Sequence, residues 1–171
     1  MRANSNSAHI LPDLLSPELK VVFCGTAAGA RSAQVGAYYA GRGNKFWQTL
    51  FQIGLTPRLL QAGEFRSLAQ YGVGLTDIAK TYSGADKGLR RSHFDTVGLR
   101  DKIEAAAPRV LAFNGKKSAS AFYGLAISYG QQRETIGETS VFVLPSTSGA
   151  ASGFWDIEQW QRLAEFLGDR A

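Results

Sequence analysis

Three short segments and one carboxylate carry most of the chemistry available to this chain. Val21 to Gly29 reads V-V-F-C-G-T-A-A-G, an apolar run that ends in a small-residue loop between two glycines. A buried strand that stops at such a loop leaves bare backbone N–H groups at the carboxyl end of a sheet, where open α/β folds bind ligands. Gly36 to Trp47 reads G-A-Y-Y-A-G-R-G-N-K-F-W, and Leu144 to Gly149 reads L-P-S-T-S-G. The hydroxyls of Ser146 and Ser148 and the N–H groups near Gly149 suit phosphate oxygens. A plain serine-rich turn has the same composition. Asp77 closes another apolar run in G-L-T-D-I. A carboxylate there can orient a water, or it can cap a helix or a turn.

The elements that must position these residues are legible as pattern. Val21–Cys24, Val73–Leu75, Val110–Phe113 and Val141–Leu144 are short apolar runs flanked by glycine, proline or polar residues. Such runs fit strands buried on both faces of a parallel sheet. Between them lie helix formers. Asn44 caps a candidate helix carrying Phe46, Trp47, Leu50, Phe51 and Ile53, with Gly54 at its end. Ala62 to Gln70 is a second candidate. Leu99 to Ala107 is stopped by Pro108. Lys116 to Tyr123 follows the third strand, and Asp156 to Leu167 places Ile157, Trp160, Leu163, Ala164 and Leu167 on one face. The alternation predicts one α/β domain, a three-layer α/β/α fold around a central, mainly parallel four-stranded sheet. The domain is expected over residues 11–171, with residues 1–10 a disordered lead-in. In a parallel sheet the four strand ends lie on one edge. Gly25–Gly29, Thr76–Asp77, Asn114–Lys116 and Pro145–Gly149 therefore converge on one pocket.

Composition narrows the functions. The chain has 171 residues, 44% of them hydrophobic and 19% charged, which suits one globular domain with a sizeable core. No apolar run of about 18 residues is present, so no membrane span is expected. The polar N-terminus lacks a signal-peptide core, and a cytoplasmic protein is expected. One cysteine, Cys24, cannot form an internal disulfide, and two histidines, His9 and His93, are too few for most metal sites. No metal and no cofactor are expected. The net charge of +5 is compatible with a polyanionic partner. Lys80 to Thr96 is the longest irregular stretch. It reads either as a solvated loop or as a basic loop that touches phosphates.

The four motifs V-F-C-G-x-x-x-G, Y-x-G-x-G-N-x-F-W, A-F-N-G-K and L-P-S-x-S, in this order, resemble those of the mismatch-specific uracil and thymine DNA glycosylases. These belong to the uracil-DNA glycosylase superfamily, and the similarity runs from about Leu14 to Phe166. The resemblance implies an enzyme that flips uracil out of DNA. It hydrolyses the N-glycosidic bond and leaves an abasic site. The lack of a clear nucleophilic lysine makes it monofunctional by expectation, and the small residues after the serine loop suit single- as well as double-stranded DNA. Its expected partner is DNA containing uracil or abasic sites, with no membrane and no obligate protein partner. The resemblance places Tyr39 as the ring that stacks on the base, with Gly25, Thr26 and Ala27 close to it. It places Ser146, Ser148 and Gly149 on DNA phosphates. Lys116 is either a phosphate contact or a solvent-exposed lysine. Asn114 reads as loop support.

Two positions depart from that pattern. Where the family commonly has an asparagine that positions water, this chain has Ala27, whose methyl neither donates nor accepts a hydrogen bond. Asp77 is the expected catalytic replacement, orienting water or stabilising an oxocarbenium-like sugar, with His93 the weaker alternative. Relatives also carry bulky or basic residues after the serine loop, where this chain has Ala150-Ala151-Ser152-Gly153. Phe154 or Arg31 then fills the gap in the duplex, or the enzyme favours unpaired DNA. The rival reading is a non-catalytic or weakly catalytic protein that binds uracil or abasic sites.

Overall fold

Four apolar runs are strands because their residues are shielded on both faces. A computed structural model describes residues 9–168. It contains β1 (Val21–Gly25), β2 (Val73–Asp77), β3 (Val110–Asn114) and β5 (Ser140–Leu144), all parallel. The first three are buried at every position, as expected of strands covered by helices on both sides. The sheet has five strands rather than four, in the order β2-β1-β3-β5-β4. The fifth is β4 (Gly130–Gln131), a two-residue antiparallel edge against β5. It is too short and too exposed to leave an apolar signature.

The side-chain alternation of the strands splits the core in two. Val21 and Phe23 face a cluster with Phe46, Leu50, Phe65, Leu68, Trp160 and Leu163. Val22 and Cys24 face the other, with Leu99, Ile103, Phe113 and Phe122. The first layer comprises α2 (Phe46–Gln52), a 3₁₀ segment over Ala62–Tyr71 and α5 (Ile157–Gly168). The second comprises α3 (Thr96–Ala106) and α4 (Lys116–Tyr123). A short α1 (Ala30–Val35) follows the β1 loop. The Ala62 segment is 3₁₀ rather than α. Asp95 caps α3 by accepting the Gly98 N–H at 2.9 Å.

The expected lead-in at residues 1–10 lies mostly outside the described residues. Its end is tied down: the Ile10 N–H donates to Lys80 C=O at 2.8 Å. Leu14 then exchanges both backbone bonds with Leu75, so this segment runs along the free edge of β2. No helix among the described residues is long and apolar enough to cross a membrane.

Candidate active site at the carboxyl edge of the sheet

Register brings Asp77 to the glycine loop. β1 and β2 pair in parallel with Gly25 opposite Asp77, so the last residue of each strand ends at the same level. The β2 chain continues alongside the loop, with Ile78 N–H on Gly25 C=O at 3.0 Å and Ala79 N–H on Thr26 C=O at 2.7 Å. A side chain at position 25 would set its Cβ 2.7 Å from Asp77 Oδ1 and 3.3 Å from the Tyr39 hydroxyl. A methyl here would force the Asp77 carboxylate to shift, so glycine makes room for the acid and for the tyrosine.

Asp77 is almost fully buried, at 5% exposure. No hydrogen bond to its carboxylate occurs among the described residues. Burial pushes its pKa up to about 6, a rise that Lys80 and Lys102 oppose and Asp13 assists. A carboxylate without a protein donor, lining a cavity, is free to accept from a water or a ligand.

Tyr39 is placed by a local device. Its φ is +53°, in the left-handed region that non-glycine residues seldom occupy. The turn is held by Ala40 N–H on the buried Ser32 Oγ at 3.0 Å, and by Trp47 Nε1–H on Tyr38 C=O at 3.2 Å. The Tyr39 ring packs on Phe46 at 4.0 Å between centroids. Its buried hydroxyl has no hydrogen-bond partner among the described residues. Burial and then the nearby Asp77 hold that hydroxyl firmly neutral. The Asn114 side chain stands beside it and acts in the opposite sense, while its amide anchors the serine loop: Nδ2–H donates to Thr147 Oγ1 at 2.9 Å, and Oδ1 accepts Thr147 N–H at 3.0 Å.

That amide fixes the serine loop, so Asn114 supports the loop as expected. Ser146 Oγ accepts Ser148 N–H at 3.2 Å, and Ser148 Oγ accepts Ala150 N–H at 3.3 Å, opening a 3₁₀ turn over Gly149–Phe154. Lys45 N–H on Thr147 C=O at 2.9 Å ties this loop to the start of α2. Asn44 Oδ1 accepts Phe46 N–H at 3.0 Å, an Asx turn one residue ahead of the helix cap.

Together these elements enclose a cavity of about 450 Å³. Gly25, Thr26, Ala27, Tyr39, Asp77, Ser146, Ser148 and Gly149 all line it. Lys116 does not. It is exposed, with its ammonium 4.3 Å from the centroid of the Tyr129 ring. His93 is also elsewhere, its ring against Tyr82 and its Nδ1 accepting Arg90 N–H at 2.9 Å.

Sequence reasoning missed Arg42 and Asp86. Arg42 is exposed and lines the cavity, as does Arg31. Its place inside the second motif was the available signal. Asp86 Oδ1 accepts the Thr26 hydroxyl at 3.2 Å, while its C=O accepts Lys117 Nζ at 2.9 Å. Gly84 N–H donates to Ala28 C=O at 3.0 Å. The start of the long irregular stretch is thereby stitched to the glycine loop. Lys80, counted there as a solvated or phosphate-facing cation, is instead buried in an ion pair with Asp13.

The three-layer α/β/α domain thus carries a polar-lipped cavity at the carboxyl edge of its sheet, the edge where open α/β folds bind ligands. The chain belongs to the Uracil DNA glycosylase superfamily, whose family model matches residues 12–164. At the level of that family it is a DNA glycosylase domain. Its fold is similar to the solution NMR structure of a candidate uracil DNA glycosylase from Methanosarcina acetivorans. The TM-score is 0.63 at 22% identity, covering 92% of this chain and 96% of that one.

Proposed function

We propose that this protein is a uracil-DNA glycosylase of the mismatch-specific type, monofunctional and acting on single- and double-stranded DNA. The observation that carries this reading is the buried, unpartnered Asp77 carboxylate beside the Tyr39 ring in one nucleobase-sized cavity. A flipped uracil stacks on Tyr39, whose other neighbour is Phe46. Gly25, Thr26 and Ala27 offer close backbone approach to the base edge. Asp77 accepts a hydrogen bond from the attacking water and faces the positive charge that develops on the sugar. Ser146, Ser148, Gly149, Arg31 and Arg42 hold the flanking phosphates.

Two further features support this reading. No lysine lines the cavity among the described residues, in keeping with hydrolysis rather than an amine-linked intermediate. Phe154 is 75% exposed on the turn that follows the serine loop, the placement a wedge needs after Ala150 and Ala151. Uracil in unpaired DNA costs least to extrude, so a small loop suits single strands as well.

The second reading, a uracil or abasic-site binder without catalysis, rests on Ala27, which puts a methyl at the cavity wall. Single-turnover cleavage of oligonucleotides carrying one uracil, in single-stranded, U·G and U·A forms, separates the two. Alkali-labile product from all three is the expected outcome. Tight retention of uracil or abasic DNA without product overturns catalysis.

A further inference from the structure

One wall of the cavity comes from a segment outside all four motifs. Leu11 lines the cavity and is only 1% exposed, so its side chain belongs to the closed interior and not to the mouth. Among the described residues it is the one aliphatic side chain larger than alanine on that lining. The path of the chain explains its position. The N-terminal segment runs antiparallel to β2, from Leu14 opposite Leu75 to Ile10, whose N–H meets Lys80 C=O. It therefore climbs towards the carboxyl edge of the sheet and brings Leu11 to the level of the glycine loop. Inside, Leu11 shares a core cluster with Ala28 of that loop and with Ala37 and Tyr38, and Tyr39 packs against the same cluster.

The segment is fixed on both sides of Leu11. Before it, the Ile10 bond to Lys80 measures 2.8 Å. After it, Pro12 C=O accepts the Tyr38 hydroxyl at 2.9 Å. The Asp13 carboxylate then takes Thr76 Oγ1 at 2.7 Å, Lys80 Nζ at 2.8 Å and Lys102 Nζ at 2.7 Å. The Lys80 side chain is 5% exposed, and breaking its pair would strand a buried charge. A side chain held between such anchors does not retreat when a ligand presses on it.

We infer that Leu11 is a specificity-determining residue: with the cavity read as a base pocket, as proposed above, it is the back wall that limits the size of the base admitted. An aliphatic wall offers no hydrogen bond to a base edge, so it selects by contact alone. Such contact discriminates by about 10–200-fold for a single methylene. The ion cluster around Asp13 holds the wall in place, which makes the N-terminal segment part of the pocket as well as a strip on the sheet edge.

The test compares two bases with a similar edge and different size. Uracil and hypoxanthine both present a carbonyl next to an N–H, the first on one ring and the second on two. Single-turnover excision and equilibrium affinity are measured on single-stranded oligonucleotides carrying one or the other, with the full chain as wild type, Leu11→Val, Leu11→Ala and Leu163→Ala. Leu163 belongs to the same core cluster but does not line the cavity, so it reports general loosening. Melting curves establish that each variant is folded, and Leu11→Val, one methylene smaller, best preserves packing. The hypoxanthine-to-uracil excision ratio is expected to rise in Leu11→Val and further, by about tenfold or more, in Leu11→Ala, and to stay at the wild-type value in Leu163→Ala. A ratio unmoved in both Leu11 variants, or raised equally in Leu163→Ala, overturns the inference. If none of the proteins excises either base, the catalytic reading falls and the affinity ratio decides. The wall then stands if that ratio rises in the Leu11 variants alone, and falls if it does not.

Discussion

Across the cavity, the β3 and β5 wall closes its hydrogen bonds on itself, whereas the β1 and β2 wall leaves them open. On the first wall Asn114 spends both ends of its amide on Thr147, and Ser146 and Ser148 spend their oxygens on backbone N–H groups. On the second, among the described residues, the buried Tyr39 hydroxyl has no hydrogen-bond partner, and no hydrogen bond reaches the Asp77 carboxylate. Buried polar atoms are ordinarily paired, and each exception calls for a reason. The closed wall is a rigid frame; on the function proposed above it receives phosphates without rearranging, and the open wall holds the groups whose partners arrive with the ligand.

The sharpest way to break this contrast is at Asp77. Asp77→Asn keeps the shape and removes the charge. The single-turnover excision rate is expected to fall by roughly 10²–10⁴-fold while DNA affinity stays near wild type. In the wild type the rate should rise with pH up to about 6, where the carboxyl ionises, and level off above it. Equal losses of rate and affinity would make Asp77 a binding residue instead.

The same substitution is expected to stabilise the fold. The unfolded carboxyl ionises near 3.8 and the folded one near 6. Below pH 3.8 both states hold the proton, and the exchange changes little. Above pH 6 both states have lost it, and the folded chain bears the cost of the buried charge, about 3 kcal/mol. The gain should therefore grow between these values and stay constant above pH 6. Urea unfolding of both proteins at several pH values reads it. A pH-independent difference would mean that Asp77 is better solvated than its burial indicates.

Asn114→Ala attacks the closed wall. It strands the Thr147 N–H and hydroxyl, and a loss of about 1–3 kcal/mol in stability is expected, read by denaturant midpoint. Affinity for abasic DNA should fall with it if the serine loop grips phosphate. Tyr39→Phe has the smallest expected effect, within about 1 kcal/mol, because it deletes a hydroxyl that has no partner among the described residues. A large loss there would reveal a water or ligand group that satisfies it.

The strands and α4 were legible because complete burial leaves uninterrupted apolar runs, and because Lys116–Tyr123 begins where β3 stops. The convergence of Gly25, Asp77 and the serine loop was legible for the same reason: parallel strands share one carboxyl edge, whereas Tyr39 was placed only by the resemblance to the glycosylases. Lys80 was not. A lysine in a polar stretch ordinarily sits in water, and only the folding of Asp13 onto β2, across many residues of sequence, provides its partner. Asp86 was hidden similarly, since its contact with Thr26 exists only after the loop returns to the glycine turn. β4 left no periodic signal because two residues make no pattern.

Gly25 has a consequence for how such a site can change by mutation. Its missing side chain is the space that Asp77 and Tyr39 occupy. A lineage that acquires even a methyl at position 25 must displace, shorten or lose the acid opposite. A lineage that gains an acid at position 77 needs glycine already in place. The two positions therefore form an ordered pair of substitutions. A homologue with a side chain at the first position should carry no aspartate at the second, and its water must then be held from another part of the loop.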